Sequence, residues 1–240
     1  MSATPEIAAN RTQLAEFIRE HGPHCLIIAR HGETDWNARG RLQGQQDTAL
    51  NDRGHSQVLE VAQLLRKVPL TQVHASTLLR CQQTAIPIAG TNIGQPDLLS
   101  SDLLKETSLG ILEGEMKDHQ STAALTRHYQ SFSKDEISYR IPGGETLHDV
   151  YSRVQNFFAS HESLLHDQAI YMIIGHRNLN KMILKHLLGL SFEDGFRIEQ
   201  EHQRIYLYFN GSKELWSCWR EGDSGSLTQG YVTTTDNSYA

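Results

Sequence analysis

Two histidines each stand directly behind a run of apolar residues. Residues 25–30 (CLIIAR) precede His31, and residues 169–175 (AIYMIIG) precede His176. Runs this short and this apolar are typical of buried strands. If both strands lie in one parallel sheet, their carboxyl ends bring the two imidazoles to the same edge, where open α/β sheets bind their ligands. The presence of two such junctions favours a functional role for the histidines.

Three arginines accompany these junctions. Arg30 precedes His31, Arg177 follows His176, and Arg80 falls in the first turn of a helix that we predict over residues 78–89. A planar guanidinium matches two phosphate oxygens at once, and the N–H groups at a helix start also bind anions. Phosphoryl transfer depends chiefly on positioning and on stabilisation of the spreading negative charge. The arginines therefore point to phosphate chemistry.

An imidazole can attack phosphorus and form a phosphohistidine, and His31 is the candidate for that role. Glu106 follows a strand predicted over residues 97–104, so its carboxyl group could protonate the leaving oxygen and later activate water; an ordinary loop position is the alternative. The guanidinium groups supply the charge that Mg²⁺ would otherwise provide. The sequence has no P-loop, no HExxH motif and no acidic cluster with metal spacing, so we expect neither a metal ion nor a cofactor.

The elements that must position these residues alternate along the chain. Strands are predicted over residues 25–30, 70–75, 97–104 and 169–174, and helices over residues 53–67, 78–89, 147–165 and 178–188. Residues 203–210 and 214–219 are typical of an antiparallel pair. This alternation predicts an α/β fold. The polar segment 117–139 is predicted to flank the site and to select the substrate.

The chain divides into one central domain and two end segments. Residues 1–24 are a predicted N-terminal helical extension, residues 25–219 are the domain, and residues 220–240 are a C-terminal tail with little to bury. A helix within residues 5–20 carries one apolar stripe, which we expect to pack against the domain. A contact through this helix with a second copy of the chain, in a homodimer, or with another partner is the open alternative.

Composition limits the classes of partner. The 240 residues carry a formal net charge of −6, and the pI is near 6.1, which argues against a nucleic-acid binder. The sequence has no run of about 18 apolar residues for a bilayer, and residues 1–20 lack the pattern of a secretory signal. Three cysteines without CxxC spacing suit reduced thiols. We therefore expect a cytoplasmic protein whose partner is a small-molecule phosphate ester, and not nucleic acid or a membrane.

Several separately placed motifs carry a further signal. They are residues 30–34 (RHGET) with Asn37, Gln43 with Gly44, residues 76–85 (STLLRCQQTA), Glu106 with residues 109–110 and 113–114, and Gly175 with His176. In this order they resemble the histidine phosphatase superfamily, also called the phosphoglycerate mutase-like family. The resemblance implies a three-layer αβα sandwich with a mostly parallel central sheet. It also implies that His31 is the phosphorylated nucleophile, that Glu106 is the proton donor, and that a phosphate pocket is formed by Arg30, Arg80 and His176 and lined by Asn37 and Gln43.

Within this family, the stretch that begins at Glu106 separates two branches. Mutases that resemble this chain have a Glu-Arg-His-Tyr-Gly element and a long insertion there, whereas this chain has residues 106–110 (ETSLG) and 112–114 (LEG), as in the small phosphomonoesterases. The resemblance therefore implies a metal-independent phosphatase for a sugar phosphate, a phosphoglycerate derivative or a nucleotide-related ester. A mutase-type phosphotransferase and a catalytically silent phosphate-binding domain are the alternatives.

One residue departs from the family pattern. The family usually has glycine after the second histidine, where this chain has Arg177. We hypothesise that Arg177 binds a second acidic group of the substrate together with Arg39, Arg41 or Lys181. The alternative is that Arg177 points to solvent or pairs with a nearby acid such as Glu106.

Overall fold

The fold alternates strands and helices, as predicted. The computed structural model describes residues 7–8, 11–22, 24–166, 168–221 and 224–233. Its strands are β1 (Ile7–Ala8), β2 (Cys25–Arg30), β3 (Gln72–Ser76), β4 (Asp97–Ser101), β5 (Ile170–Gly175), β6 (Arg204–Phe209), β7 (Glu214–Glu221) and β8 (Ser224–Gln229). Its α-helices are α1 (Arg11–His21), α2 (Asp35–Ala38), α3 (Asp52–Leu65), α4 (Leu79–Thr91), α5 (Ala123–Lys134), α6 (Leu147–Ser160), α7 (Ser163–His166), α8 (Arg177–Leu188) and α9 (Phe192–Phe196). Short 3₁₀ turns at Asp102–Leu104 and Gly110–Leu112 flank the loop that carries Glu106.

Strand β2 shows why its sequence is apolar throughout. Its residues alternate between two clusters of buried side chains, Cys25 and Ile27 on one face of the sheet and Leu26 and Ile28 on the other. Helices α1, α3 and α4 supply the first cluster, and α6 and α8 supply the second. A strand that is covered on both faces has no place for a polar side chain until it ends. The predicted three-layer αβα sandwich is confirmed.

The described strands form one sheet in the order β1-β8-β7-β6-β2-β5-β3-β4. Strands β2, β5, β3 and β4 are parallel to one another. Strands β6 and β8 run in the opposite direction, so β7 and β1, which are antiparallel to them, run with β2. Most of the described strands therefore share one direction, as predicted, and the central pair β2 and β5 end at the same edge.

The C-terminal segment differs from the prediction. Residues 224–229 form β8, which pairs with β7 on one side and β1 on the other, and the side chain of Leu227 is completely buried. The expectation of a tail with little to bury is therefore wrong for this stretch. Its order depends on backbone pairing with the adjacent strand β7 and with β1 near the other end of the chain, and only one strongly apolar residue marks it in the sequence. Residues 234–240 lie outside the described residues.

Some predicted boundaries also change. The helix predicted over residues 147–165 is divided, because His161 takes a non-helical backbone conformation (φ −136°, ψ 53°) between α6 and α7. The strand predicted over residues 97–104 ends at Ser101 and continues as a 3₁₀ turn. Of the helix predicted within residues 5–20, residues 11–20 are helical, residues 7–8 are β1, and residues 5–6 and 9–10 lie outside the described residues. Among the helices that are described, none has both the length and the apolar character needed to cross a bilayer.

Candidate active site

The two histidines meet at the carboxyl ends of the neighbouring strands β2 and β5. The backbone N–H of His31 donates to the carbonyl of Gly175 over 3.1 Å, and the ring centroids of His31 and His176 are 5.1 Å apart. Both side chains are buried, with 2% and 0% of their surface exposed. Because β2 and β5 are paired in register up to Arg30 and Gly175, the two apolar runs deliver both imidazoles to one place.

The ring of His31 is held in one orientation. Its Nδ1 lies 2.7 Å from the carbonyl oxygen of Gly32. Since a carbonyl oxygen only accepts, Nδ1 carries the proton and the lone pair is on Nε2. Burial, and then the positive charge of Arg80 and the neighbouring His176, lowers the pKa of His31 well below its usual range. The imidazole is therefore neutral at pH 7, and its lone pair is available for reaction.

His176 lies behind His31. Its Nε2 is 3.4 Å from the Sγ of Cys81, and that thiol also donates to the carbonyl of Gly175 over 3.4 Å. Burial, reinforced by Arg80, lowers the pKa of His176 well below its usual range, so this ring is neutral too. Burial also raises the pKa of Cys81 to about 12, which keeps the thiol protonated. The second histidine thus packs against the candidate nucleophile from the protein side.

The guanidinium groups of Arg30 and Arg80 are oriented by backbone carbonyls. Arg80, in the first turn of α4, donates to Gln46 O over 2.7 Å and to Gly44 O over 2.8 Å. Arg30 donates to Gln200 O over 2.9 Å. Within the described part of the chain, the buried Nε atoms of these two arginines have no hydrogen-bond partner. A buried donor without a partner is costly, so this pair is suited to an anion that would accept from both.

Two side-chain amides stand beside these arginines. The hydroxyl group of Thr34 lies 3.0 Å from the amide oxygens of both Asn37 and Gln43, and the hydroxyl of Thr48 donates to the same oxygen of Gln43 over 2.6 Å. These contacts occupy the amide oxygens and fix the rotation of each amide. The N–H₂ groups of Asn37 and Gln43 are thereby left to donate to a ligand oxygen.

Glu106 lies between the site and the start of α8. Its carboxylate accepts the backbone N–H groups of Asn178 and Leu179, each over 3.3 Å, and that of Thr107 over 2.9 Å. A helix N-terminus favours a carboxylate electrostatically. These bonds hold the carboxylate at the edge of the site.

Arg153 supports the loop around Glu106 from α6. Its guanidinium donates to Leu103 O over 2.8 Å and to Lys105 O over 3.0 Å. It also forms an ion pair with Glu145 at 2.8 Å, and Glu145 accepts the backbone N–H of Ser108 over 2.9 Å. Sequence reasoning did not find Arg153, because an arginine inside an amphipathic helix carries no local sign of what it contacts.

Most of the predicted residues border one open cavity. Its lining includes Arg30, His31, Asn37, Gln43, Arg80, Glu106 and Arg177. His176 is in contact range of His31 but is not part of the lining. Across the described ranges, no three His, Cys, Asp or Glu side chains are grouped so as to hold a metal ion. The residues chosen from sequence are therefore brought together, and all except His176 reach the cavity surface.

The cavity also contains residues that the site prediction omitted. Thr107 and Lys117 line it, and so does Arg41, which was named with Arg177 as a candidate for a second acidic group. The other two candidates do not: Arg39 is exposed outside the lining, and the Nζ of buried Lys181 lies 4.1 Å from the centre of the Phe196 ring. These placements depend on loop contacts that no local pattern reports.

His202 is a further residue that sequence reasoning missed. Its Nδ1 donates to the carbonyl oxygen of His31 over 2.6 Å, and its ring centroid is 5.5 Å from that of His31. Burial, and then Arg30, lowers the pKa of His202 to about 3. A single histidine in a polar loop gave no signal of this contact with the candidate nucleophile.

Comparison with known proteins adds independent findings. The model of the histidine phosphatase superfamily (branch 1) matches residues 26–219. The chain is 37% identical over 139 residues to fructose-2,6-bisphosphatase TIGAR B of Danio rerio, a match that covers 57% of this chain and 52% of that protein. It is 35% identical over 130 residues to phosphoglycerate mutase-like protein 4 of Arabidopsis thaliana, with 53% and 56% covered. The chain thus spans little more than half the length of these curated relatives.

A solved structure is similar over a larger part of the chain. The mycobacterial glucosyl-3-phosphoglycerate phosphatase, solved with VO3, superposes with a TM-score of 0.65 at 22% identity, covering 88% of this chain and 98% of that one. At that identity the likeness concerns the fold. The family model, in contrast, spans most of the sequence and includes both histidine junctions. On this ground the chain belongs to the histidine phosphatase superfamily.

Proposed function

We propose that this protein is a metal-independent phosphatase that hydrolyses a small phosphate monoester through a phosphohistidine at His31. The observation that carries this proposal is the neutral ring of His31, with its lone pair on Nε2, in the lining of a cavity that Arg30 and Arg80 also line. A charged imidazole could not attack phosphorus. Burial beside Arg30 and Arg80 therefore both activates the nucleophile and attracts its anionic substrate.

In the first step, the phosphate group of the ester is held by the guanidinium groups of Arg30 and Arg80 and by the amide N–H₂ groups of Asn37 and Gln43. Nε2 of His31 attacks phosphorus, the P–N bond forms, and the bond from phosphorus to the leaving oxygen breaks. Protonated Glu106 gives its proton to that oxygen, so the product leaves as an alcohol. We assign His176 as a positioning residue, since its ring lies 5.1 Å from that of His31 and outside the lining of the cavity.

In the second step, a water molecule replaces the alcohol. The carboxylate of Glu106 removes a proton from the water, the resulting oxygen attacks phosphorus, and the P–N bond to His31 breaks. Inorganic phosphate is released, and Glu106 is protonated again for the next cycle. The two guanidinium groups beside the phosphate neutralise its charge and the two amide groups donate to it, so the scheme requires no metal ion.

A mutase is the second candidate, because one relative is named phosphoglycerate mutase-like and other relatives carry the mutase name. Mutase chemistry shares the first step. It differs in the acceptor, which is a hydroxyl group of a second substrate instead of water. The relative named fructose-2,6-bisphosphatase and the phosphatase with the similar fold support the hydrolytic reading.

The test is phosphate release from p-nitrophenyl phosphate in excess EDTA by the purified wild type and by His31→Ala. His166→Ala, which replaces an exposed histidine at the end of α7, is the matched control. We expect turnover that survives the chelator, is lost in His31→Ala and is unchanged in His166→Ala. Denaturation in alkali during turnover should trap a phosphorylated peptide that contains residue 31.

Two results would overturn the proposal. Turnover that EDTA abolishes would mean a metal-dependent reaction. Absence of hydrolysis, together with conversion of 3-phosphoglycerate to 2-phosphoglycerate, would identify the mutase instead.

A further inference from the structure

The charge of the cavity exceeds what one phosphate group needs. Five of its lining side chains are cationic and one is a carboxylate. The proposed reaction uses Arg30 and Arg80 as cations and Glu106 as the acid. The lining residues Arg41, Lys117 and Arg177 have no role in that reaction, although the protein as a whole is acidic.

Two of these three residues are placed by a built rim, formed by residues 40–42 and 114–117. Leu42 N donates to Glu115 O over 2.9 Å, Gly114 N to Leu42 O over 2.8 Å, and Lys117 N to Gly40 O over 3.0 Å. The rim is therefore a short antiparallel pairing, and it carries Arg41 and Lys117 into the lining of the cavity.

The side chain of Arg41 is itself oriented. Its guanidinium donates to Gly114 O over 2.7 Å and lies 5.4 Å from the centre of the Trp36 ring. Both contacts fix the planar group without removing its charge. An oriented guanidinium at a cavity edge needs little further ordering to accept a ligand anion.

Arg177 lines the same cavity from α8. It is the first residue of α8, where the helix dipole adds positive potential. Its charge reaches the neighbouring cations: after burial, Arg177 and Arg30 are what lower the pKa of Lys117 to about 8. Like charges gathered around one space raise the free energy of the empty cavity, and an anion between them relieves that cost.

One acid whose charge reaches these cations is Glu136. Glu136 is buried, and burial raises its pKa to about 7 against the opposing influence of Arg177, Lys181 and Lys117. At neutral pH this carboxyl group is therefore partly protonated. Glu136 also lies outside the described lining of the cavity, so it does not occupy the space that a ligand would enter.

We propose that Arg177, together with Lys117 and Arg41, binds a second anionic group of the substrate, a carboxylate or another phosphate. The preferred substrates are then small phosphate esters that carry two separate anionic groups. The inference rests on the proposed function for the phosphate that reacts, and it adds the chemistry of the rest of the substrate. It also gives the departure from glycine at position 177 a physical role.

The test compares two esters that share a three-carbon skeleton, 3-phosphoglycerate and glycerol 3-phosphate, which differ by a carboxylate in place of a hydroxymethyl group. We expect wild-type kcat/KM to favour 3-phosphoglycerate by at least about 10-fold, since hydrogen bonds to charged groups are the strong ones. Arg177→Gln should reduce that preference about 10-fold through KM, because binding of a remote group is equal in the ground and transition states. Arg177→Lys should restore part of it.

Controls separate this subsite from general damage. Arg39→Gln removes an exposed arginine outside the lining and should leave the preference unchanged, whereas Lys117→Gln should lower it. Equal kcat/KM for the two esters in the wild type, or an equal loss on both in Arg177→Gln, would overturn the subsite while the proposed hydrolysis stands.

A failure of the proposed function gives a different result. If no variant releases phosphate from either ester, binding is measured by calorimetry with inorganic phosphate and with 3-phosphoglycerate. Tighter binding of 3-phosphoglycerate that is lost in Arg177→Gln and kept in Arg39→Gln would support the subsite in a protein that is not a phosphatase. Equal binding of both probes in all variants would overturn it.

Discussion

Arg153 is expected to hold the proposed proton donor in place without touching the substrate. Its guanidinium donates to backbone carbonyls within residues 103–106 and pairs with both carboxylate oxygens of Glu145. Glu145 in turn accepts the backbone N–H of Ser108. Arg153→Met keeps most of the aliphatic stem and removes all of these bonds, so the loop on both sides of Glu106 loses its support.

The size of the effect follows from these contacts. Removal of one partner from a well-buried ion pair costs about 3–5 kcal/mol. The side chains of Arg153 and Glu145 keep 18% and 21% of their surface exposed, so solvent screens the pair and we expect about 2–3 kcal/mol. Each 1 kcal/mol lowers the Tm of a chain of this size by about 2–4 °C, which gives a fall of about 4–12 °C. A displacement of Glu106 on the order of 1 Å should lower kcat about 100-fold for esters whose leaving group needs a proton from Glu106.

Two esters separate loss of the proton donor from general damage. p-Nitrophenolate is a stable leaving group that departs without a proton, whereas the alkoxide of glycerol 3-phosphate must be protonated. With Arg153→Met, well below its Tm, we expect kcat to fall about 30- to 100-fold on glycerol 3-phosphate and less than about threefold on p-nitrophenyl phosphate. Arg140→Met is the control, since it removes a more exposed ion pair with Asp149 (57% and 36% exposed), worth about 0–1 kcal/mol.

Either of two results would refute this reasoning. Equal losses on both esters would mean that Arg153 supports the cavity as a whole and not Glu106 in particular. Unchanged kinetics with an unchanged Tm would mean that the loop keeps its shape without the ion pair.

Three further predictions concern the fold and the loop at Gly44, whose carbonyl accepts from the guanidinium of Arg80. Gly44→Ala should weaken phosphate binding at least about 10-fold and lower the free energy of unfolding by about 1–3 kcal/mol, because Gly44 has φ +52° and an added Cβ would overlap a neighbouring carboxylate. Gly40→Ala, at φ +65° but in open space, should bear only the backbone strain. Calorimetry measures the phosphate binding, and urea unfolding measures the stability. Leu227→Ala should lower the free energy of unfolding by about 2–5 kcal/mol, whereas Leu99→Ala, at a side chain 38% exposed, should cost less than about 1 kcal/mol; a similar cost at both positions would contradict the packing of β8. Burial, reinforced by a neighbouring histidine, lowers the pKa of His74 to about 4. Between pH 6.5 and 4 the unfolded chain therefore binds a proton that the folded chain does not, and stability falls as the pH falls. In urea unfolding, His74→Gln should lose less stability than the wild type between pH 7 and pH 5.

The sequence predicted the parts of this molecule whose cause is local. The apolar run before His31 is long enough to be a strand and is apolar because both faces are covered, so its end could be located from composition alone. The same holds for His176. Their proximity then follows from parallel pairing, which the alternation of strands and helices predicts. The three-layer fold, and the presence of both histidine junctions at one sheet edge, could therefore be derived before any coordinates.

Features with a distant cause could not be derived in this way. Strand β8 is held between β7 and the distant strand β1, and its own six residues contain one strongly apolar side chain. Lys117 lines the cavity because the two irregular segments of the rim pair with each other. His202 and Arg153 donate to backbone carbonyls that are far away in the chain, and neither residue type predicts such a contact. The position of His176 outside the cavity lining likewise depends on packing against Cys81. The spacing of residues in the sequence does not predict this contact.

The division of the cavity between strand ends and loops governs how such a protein can evolve. The candidate nucleophile is tied to the hydrogen-bonded centre of the sheet, where backbone amides open only when the whole domain unfolds. The rim is joined by a few bonds between loops, where changes in sequence are tolerated far better. We therefore expect mutations in the rim to alter the proposed substrate preference with little effect on the proposed reaction or on the folding of the domain. A directed-evolution library drawn from residues 40–42, 114–117 and 177 would sample that variation while the strands that carry the chemistry stay unchanged.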